Sequence, residues 1–220
     1  MIVGVLALQG DVPEHRRAFA DLVGPHSVQL VRTPEDLSSV DALVLPGGES
    51  TTIARLMAET GLDRAIAAAG RRGLPILATC AGLILVAREL EPGPGGREPA
   101  TLGLLDVKVR RNDYGGQRES FEAPVDVAGV SGGPFPGVFI RAPRILSLGS
   151  HVRPLARLGE QVVGVHAGKV WGLTFHPELS GDPRVFAAFL RDAQGATQAS
   201  QKTARTATAV RTKPRMAQRR

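Results

Sequence analysis

Short runs of apolar, β-prone residues alternate with amphipathic stretches through the first ninety or so positions of the chain. Residues 2–8 (IVGVLAL), 42–45 (ALVL) and 74–79 (LPILAT) are strand-like and bounded by turn signals, and 27–31 (SVQLV) is a weaker fourth run. Between them, Glu14 to Val23, Thr51 to Glu59 and Leu62 to Arg72 are compatible with helices. Strands alternating with helices predict βαβ units, hence an α/β fold with a parallel sheet covered on both faces. The pattern changes after the Pro/Gly-rich loop 91–99 (EPGPGGREP). Residues 104–109 (LLDVKV), 120–127 (SFEAPVDV), 137–140 (GVFI), 145–149 (ILSLG) and 162–175 (VVGVHAGKVWGLTF) all read as strands. The last predicts a hairpin turning at Ala167-Gly168-Lys169. A helix from Pro183 to Asp192 closes the pattern. No internal repeat is present, and the loop at 91–99 is too short to force a second domain.

Composition narrows this picture. A chain of 220 residues with 43% hydrophobic content can bury one good core. One cysteine excludes an intramolecular disulfide and points to a reducing compartment. No apolar run approaches the length of a membrane span, and the first residues, MIVGVLALQG, read as a strand rather than a leader. The expectation is a soluble, cytoplasmic protein. The net charge of +6 suggests nucleic acid at first sight. However, residues 194–220 hold seven Lys and Arg and no acidic residue, and subtracting those seven leaves −1 for the rest. The basic balance belongs to a tail rich in Ala, Thr, Gln and Arg, expected to be disordered because it has too little apolar surface to offset its ordering entropy. The organisation expected is one domain over 1–193 and a basic tail over 194–220. The tail could touch nucleic acid or an acidic surface, although a solvated extension is the plainer reading. The near-neutral domain argues against a nucleic-acid binder.

In an open α/β sheet, ligands bind beyond the carboxyl ends of the strands. The turns to inspect are therefore LQGDVPEH (8–15), LPGGEST (45–51) and ATCAGL (78–83). Cys80 lies between an apolar strand and a helix-like run, LILVAREL, in the frame Ala78-Thr79-Cys80-Ala81-Gly82. That is the layout of a nucleophile elbow, with small residues flanking the nucleophile. At a helix N-terminus, unpaired N–H groups would favour thiolate. A buried core thiol explains this segment equally well when it is taken alone. Of the five His, His176 stands out, because it follows WGLTF and precedes Pro177 and Glu178. In an extended segment residues i and i+2 point the same way, which would set Glu178 beside His176. His166 reads as structural, and His15, His26 and His151 show no constellation of their own. In PGGEST, Gly48 N–H is a candidate oxyanion donor facing Ala81 N–H, while Ser50 or Thr51 could simply cap a helix. A phosphate loop is a weaker reading, because the Lys of that motif is missing.

Cys80 in an elbow, PGGES upstream and HPE near the end of the domain together resemble the class I, triad-type glutamine amidotransferases. Further segments sharpen the likeness: LALQGDVPEH, LPGGESTT, TCAGLILVA, GLLDVKVRRNDYG, ESFEA, GVFIRAP and FHPELSGDPRV are similar to the glutaminase subunits of pyridoxal 5′-phosphate synthase, from residue 2 to about 192. The resemblance implies a flavodoxin-like three-layer domain with a mixed, mostly parallel sheet and added antiparallel strands. It implies hydrolysis of L-glutamine to glutamate and ammonia, with no cofactor or metal, and transfer of the ammonia to a synthase subunit within a large hetero-oligomer. That subunit would build pyridoxal phosphate from a pentose phosphate and a triose phosphate. It assigns Cys80 as nucleophile, His176 as proton carrier and Glu178 as its orienter. Gly48, Glu49, Ser50, Arg111, Ile140 and Arg141 would contact glutamine, an Arg suiting its carboxylate. Gly48 and Ala81 would form the oxyanion hole, and Gln9 would lie near the oxyanion loop and the partner interface. Family members commonly need the synthase to form that hole. Ala78 departs from the family's usual Gly before the elbow, and the basic tail has no counterpart. Alternatives are a triad amidotransferase of another pathway, or a binding module that keeps the fold without its chemistry; the presence of all three triad residues argues against the latter.

Overall fold

A computed structural model describes residues 1–92, 98–111 and 120–195. The strands are β1 (Val3–Leu6), β2 (Val28–Val31), β3 (Ala42–Leu45), β4 (Ile76–Thr79), β5 (Ala87–Leu90), β6 (Leu105–Arg110), β7 (Phe121–Val127), β8 (Phe135–Phe139), β9 (Arg144–Leu148), β10 (Arg153–Leu158), β11 (Gln161–Ala167) and β12 (Val170–Leu173). The helices are α1 (Val12–Val23), α2 (Pro34–Ser38), α3 (Ser50–Thr60), α4 (Leu62–Arg71), α5 (Ala81–Val86) and α6 (184–195).

Nine strands form one sheet in the order β2-β1-β3-β4-β12-β11-β10-β7-β8. The first five are parallel, and from β12 outwards each pairing is antiparallel. This is the expected mixed sheet, and its parallel half has the 2-1-3-4 order of flavodoxin-like folds. A small sheet, β5-β6-β9, packs beside it. The core shows why the parallel strands read as continuous apolar runs: β1, β3 and β4 are buried on both faces. Leu43, Leu45, Ile76 and Ala78 face one layer with Ile53, Met57, Ile66 and Leu83 of α3 to α5. Ala42, Val44 and Leu77 face the other, with Phe19 of α1 and Phe186 and Phe189 of α6. Trp171 Nε1–H donates to Asp192 Oδ2 at 3.0 Å and pins α6 to β12.

Several elements differ from the expectation. LILVAREL is not one helix: α5 ends at Val86, Ala87 is extended, and 87–90 becomes β5, parallel to β6. Its charged residues find partners on that neighbour, Arg88 on Asp106 at 2.8 Å and Glu89 on Lys108 at 2.7 Å. Sheet pairing thus overrides a helix-compatible sequence. The short α2 has no counterpart among the predicted elements, although Thr33-Pro34-Glu35-Asp36 is a capping box, with Thr33 Oγ1 accepting from Asp36 N–H at 3.3 Å. Neither Ser50 nor Thr51 caps α3. Glu49 is the capping position, and Thr51 Oγ1 donates to Glu49 Oε1 at 3.0 Å. The hairpin turn stands where expected, between β11 and β12. The closing helix runs to 195. Most of loop 91–99 and of tail 194–220 lies outside the described residues.

The elbow depends on one contact that side chains would block. A Cβ on Gly82 would sit 2.1 Å from the Leu45 carbonyl oxygen, so α5 can lie over the end of β3 only with glycine there. Gly82→Ala should therefore cost about 1–3 kcal/mol of folding stability, read as a lower midpoint in urea denaturation. An unchanged midpoint would show that the backbone gives way easily.

Candidate active site

The loops following β1, β3, β4 and β12 converge at one end of the parallel strands. Cys80 follows β4 directly. Its backbone has φ 47 and ψ −102, a left-handed conformation for a non-glycine residue, and its N–H donates to the Leu173 carbonyl at 2.9 Å. The expected strand–turn–helix elbow is present, though α5 is only six residues long, so the N–H groups of its first turn matter more than a long dipole. Ala78 sits in β4, fully buried; the strained backbone belongs to Cys80 itself, which is why Ala fits before the turn.

His176 lies beyond β12, with its N–H donating to the Val138 carbonyl at 2.8 Å. The geometry of HPE differs from the extended segment expected. Pro177–Leu179 is a 3₁₀ turn, started by Pro177, and it folds Glu178 back under the ring. His176 Nδ1–H then donates to Glu178 Oε1 at 2.7 Å, and the Glu178 side chain is completely buried. Nδ1 also lies 3.2 Å from Asp11 Oδ2. Nε2 is buried with no hydrogen-bond partner among the described residues. Cys80 lines the same cleft and raises the pKa of His176. Burial opposes the imidazolium, but its interactions with Asp11, Cys80 and Glu178 outweigh that and push His176 up to about 12. Asp11 is correspondingly held below its usual 3.8, chiefly by its hydrogen bond to His176. Asp11, His176 and Glu178 bring ligand-type atoms within 4.8 Å of one another. Ligation would require a deprotonated Nδ1, which two carboxylates and a raised pKa oppose.

A cleft of about 140 Å³ opens beside Cys80, lined by Gly48, Glu49, Ser50, Ala81, Arg111, Ile140, Arg141 and His176. Every residue expected to touch substrate or oxyanion is therefore gathered at one opening. Its size suits a small molecule, at ~30 Å³ per water displaced. The Ile140 carbonyl lies 3.8 Å from Cys80 Sγ, and Arg141 has φ 44, the second non-glycine residue in the left-handed region among those described. Arg111 is braced by Glu98 at 3.2 Å and Glu49 at 3.7 Å. The remainder of RRNDYG, 112–115, lies outside the described residues. Gln9 does not line the cleft; its Oε1 accepts from Glu49 N–H at 2.8 Å, so it ties the PGGES loop to the loop after β1. Asp11 N–H donates to the Gly47 carbonyl at 3.1 Å across the same junction.

Residues 5–194 match the SNO glutamine amidotransferase family. The chain belongs to that family. Among curated relatives of this family, a pyridoxal 5′-phosphate synthase subunit PdxT of Thermococcus kodakarensis is 52% identical over 196 residues, covering 87% of this chain and 98% of its own. The protein of the same name from Streptomyces avermitilis is 48% identical over 189 residues, covering 86% and 92%. A solved glutamine amidotransferase superposes with a TM-score of 0.80 at 45% identity, covering 88% of this chain and all of the other. A putative GMP synthase protein from Thermoplasma acidophilum shares the fold alone, with a TM-score of 0.65 at 17% identity, covering 91% of this chain and 98% of its own. The amidotransferase fold expected from the sequence is the fold found.

Two site residues have no place among the sequence-based expectations, Asp11 and the fully buried His15. Asp11 ends the turn after β1 and His15 lies in the first turn of α1, one helical turn apart in QGDVPEH. That spacing, at a strand end where ligands bind, is the signal that could have found them.

The raised pKa has a direct consequence. His176 should stay protonated from about pH 5 to 9, instead of titrating near the usual 6.5. Its contribution to stability is complete below about 6.5 and is lost only as pH rises towards 12. Asp11 contributes above its usual value, and that is lost as pH falls through its lowered one. In ring-resolved NMR titrations, Asp11→Asn should lower the His176 midpoint. A wild-type midpoint near 6.5 would contradict this electrostatic arrangement.

Proposed function

We propose that this chain is the glutaminase subunit of a pyridoxal 5′-phosphate synthase. The observation that carries the reading is that Cys80 and His176 share one cleft, with Glu178 bonded to the ring, on a chain about half identical to proteins named as subunits of that synthase. In this reading the Cys80 thiolate attacks the side-chain amide carbon of L-glutamine, and the carbonyl oxygen takes the negative charge. N–H groups of Gly48 and Ala81 hold that oxyanion. His176 passes its Nε2 proton to the departing nitrogen, so ammonia leaves and a thioester to Cys80 remains. His176 then takes a proton from water as the hydroxide adds to the thioester, and glutamate is released with the thiol restored. Glu178 keeps the His176 ring in the tautomer this needs. Arg111 and Arg141 receive the substrate's α-carboxylate, and Glu49 and Ser50 line its pocket.

The ammonia passes to the synthase partner, with Gln9 at the junction between the loop after β1 and the oxyanion loop. Residues 1–193 act as the amidotransferase domain, and 194–220 as a basic extension outside it. The free thiol this mechanism needs suits a reducing, cytoplasmic setting. Among the described residues no helix is long and apolar enough to cross a membrane.

Cys80→Ala should reduce ammonia release from glutamine by at least about 10⁴-fold, with unchanged thermal unfolding, when assayed with a pyridoxal phosphate synthase subunit present. Retained release would sink the thiolate mechanism. Truncation after 195 should leave the coupled activity intact, and a large loss would give the basic extension a role in the reaction.

A further inference from the structure

His15 is the buried titratable group that the mechanism above leaves unused. It lies in the first turn of α1, fully buried, with its ring edge-on to Phe186 at 6.1 Å between centroids. Its Nδ1 lies 2.8 Å from the Asp11 carbonyl. A carbonyl only accepts, so a proton on Nδ1 is fixed there. Its Nε2 lies 3.3 Å from Glu178 Oε2 and 3.2 Å from Thr79 Oγ1.

Glu178 presents the complementary need. Its side chain is fully buried, and Oε1 is taken by His176. Oε2 has no hydrogen-bond partner of ordinary geometry among the described residues, and His15 Nε2 is the one ionisable nitrogen facing it. A buried carboxylate oxygen left bare is costly. A neutral His15, protonated on Nδ1, would aim a lone pair at that oxygen. A proton on Nε2 instead sets a positive charge against the same oxygen. The charged groups around His15 are Asp11 on the turn leading into α1 and Glu178 on the turn after β12, with His176 one residue further along the network. β4 contributes the Thr79 hydroxyl and α6 the Phe186 ring. Two carboxylates thus face two rings, and the charge of His15 acts on Asp11 as well.

We propose that His15 is a positioning residue of this active site, whose Nε2–H holds Oε2 of Glu178 so that Oε1 stays aimed at His176 Nδ1. The role rests on the glutaminase reading, because it acts through the triad. It also explains why a histidine should occupy the base of the first helix, behind a cleft it does not line. Through Thr79, the residue before Cys80, the same ring touches both halves of the triad.

Two variants separate this role from simple packing. The amide of His15→Gln reaches where Nε2 stands and can donate to Glu178. The amide of His15→Asn reaches where Nδ1 stands, and keeps only the bond to the Asp11 carbonyl. In the complete complex with its synthase subunit, His15→Asn should lower kcat about 10- to 100-fold with KM for glutamine unchanged. His15→Gln should recover most of that loss. Equal activity of the two variants, or a loss confined to KM, would overturn the proposal. Should either variant fail to fold, ¹⁵N NMR of the wild-type ring decides: both ring nitrogens protonated near neutral pH supports the role, and an unprotonated Nε2 overturns it. Cys80→Ala assayed alongside keeps failure of this inference distinct from failure of the glutaminase reading, since activity surviving without the thiol would count against the latter alone.

Discussion

Cys80 is held in a left-handed backbone conformation that costs a non-glycine residue about 1–3 kcal/mol, and the rest of the site depends on that constraint being met. Three contacts enforce it. The Cys80 N–H is bonded to the Leu173 carbonyl, β4 lies in register between β3 and β12, and α5 rides directly on the Leu45 carbonyl because residue 82 has no side chain. The result is a thiol that leaves the strand pointing into the cleft instead of into either core layer. Apolar burial on both faces of the parallel strands is the source of energy for this, since it fixes the strand ends from which all four loops depart.

The second constraint is electrostatic. His176 is almost wholly buried yet lies between two carboxylates and a thiol, and the balance of these groups keeps the ring charged against the cost of desolvation. This charge lies on the same cleft as the Cys80 thiol. Asp11 links this charge to the loops. Its carboxylate meets His176 while its N–H holds the Gly47 carbonyl, so the PGGES loop and His176 are tied through one residue. Gln9, two positions earlier, holds Glu49 from the same turn. A partner that moves the turn after β1 would therefore reach the PGGES loop and His176 together.

Much of this is legible in the sequence because periodicity and turn chemistry agree along the parallel half. The runs at 42–45 and 74–79, the elbow around Cys80 and the HPE segment stand where expected, and Cys80, His176, Gly48 and the two arginines do meet. What is not legible depends on tertiary context. The helix-like LILVAREL gives way to β5 because Arg88 and Glu89 find partners on β6. HPE reads as extended, but Pro177 begins a tight turn, and Glu178 reaches the ring by folding under it. His15 and Asp11 look unremarkable because their partner, Glu178, is more than 160 positions away. No local pattern encodes a contact of that range.

Cys80 acting as a nucleophile toward the side-chain end of glutamine is the central claim. The most direct test is covalent: a glutamine analogue with a diazoketone in place of the side-chain amide, incubated with the complex and followed by peptide mass analysis. The predicted result is a single adduct on Cys80, formed much more slowly when His176 is replaced by Ala and blocked by excess glutamine. An adduct elsewhere, or none on Cys80 with the chain folded and the partner present, would contradict it.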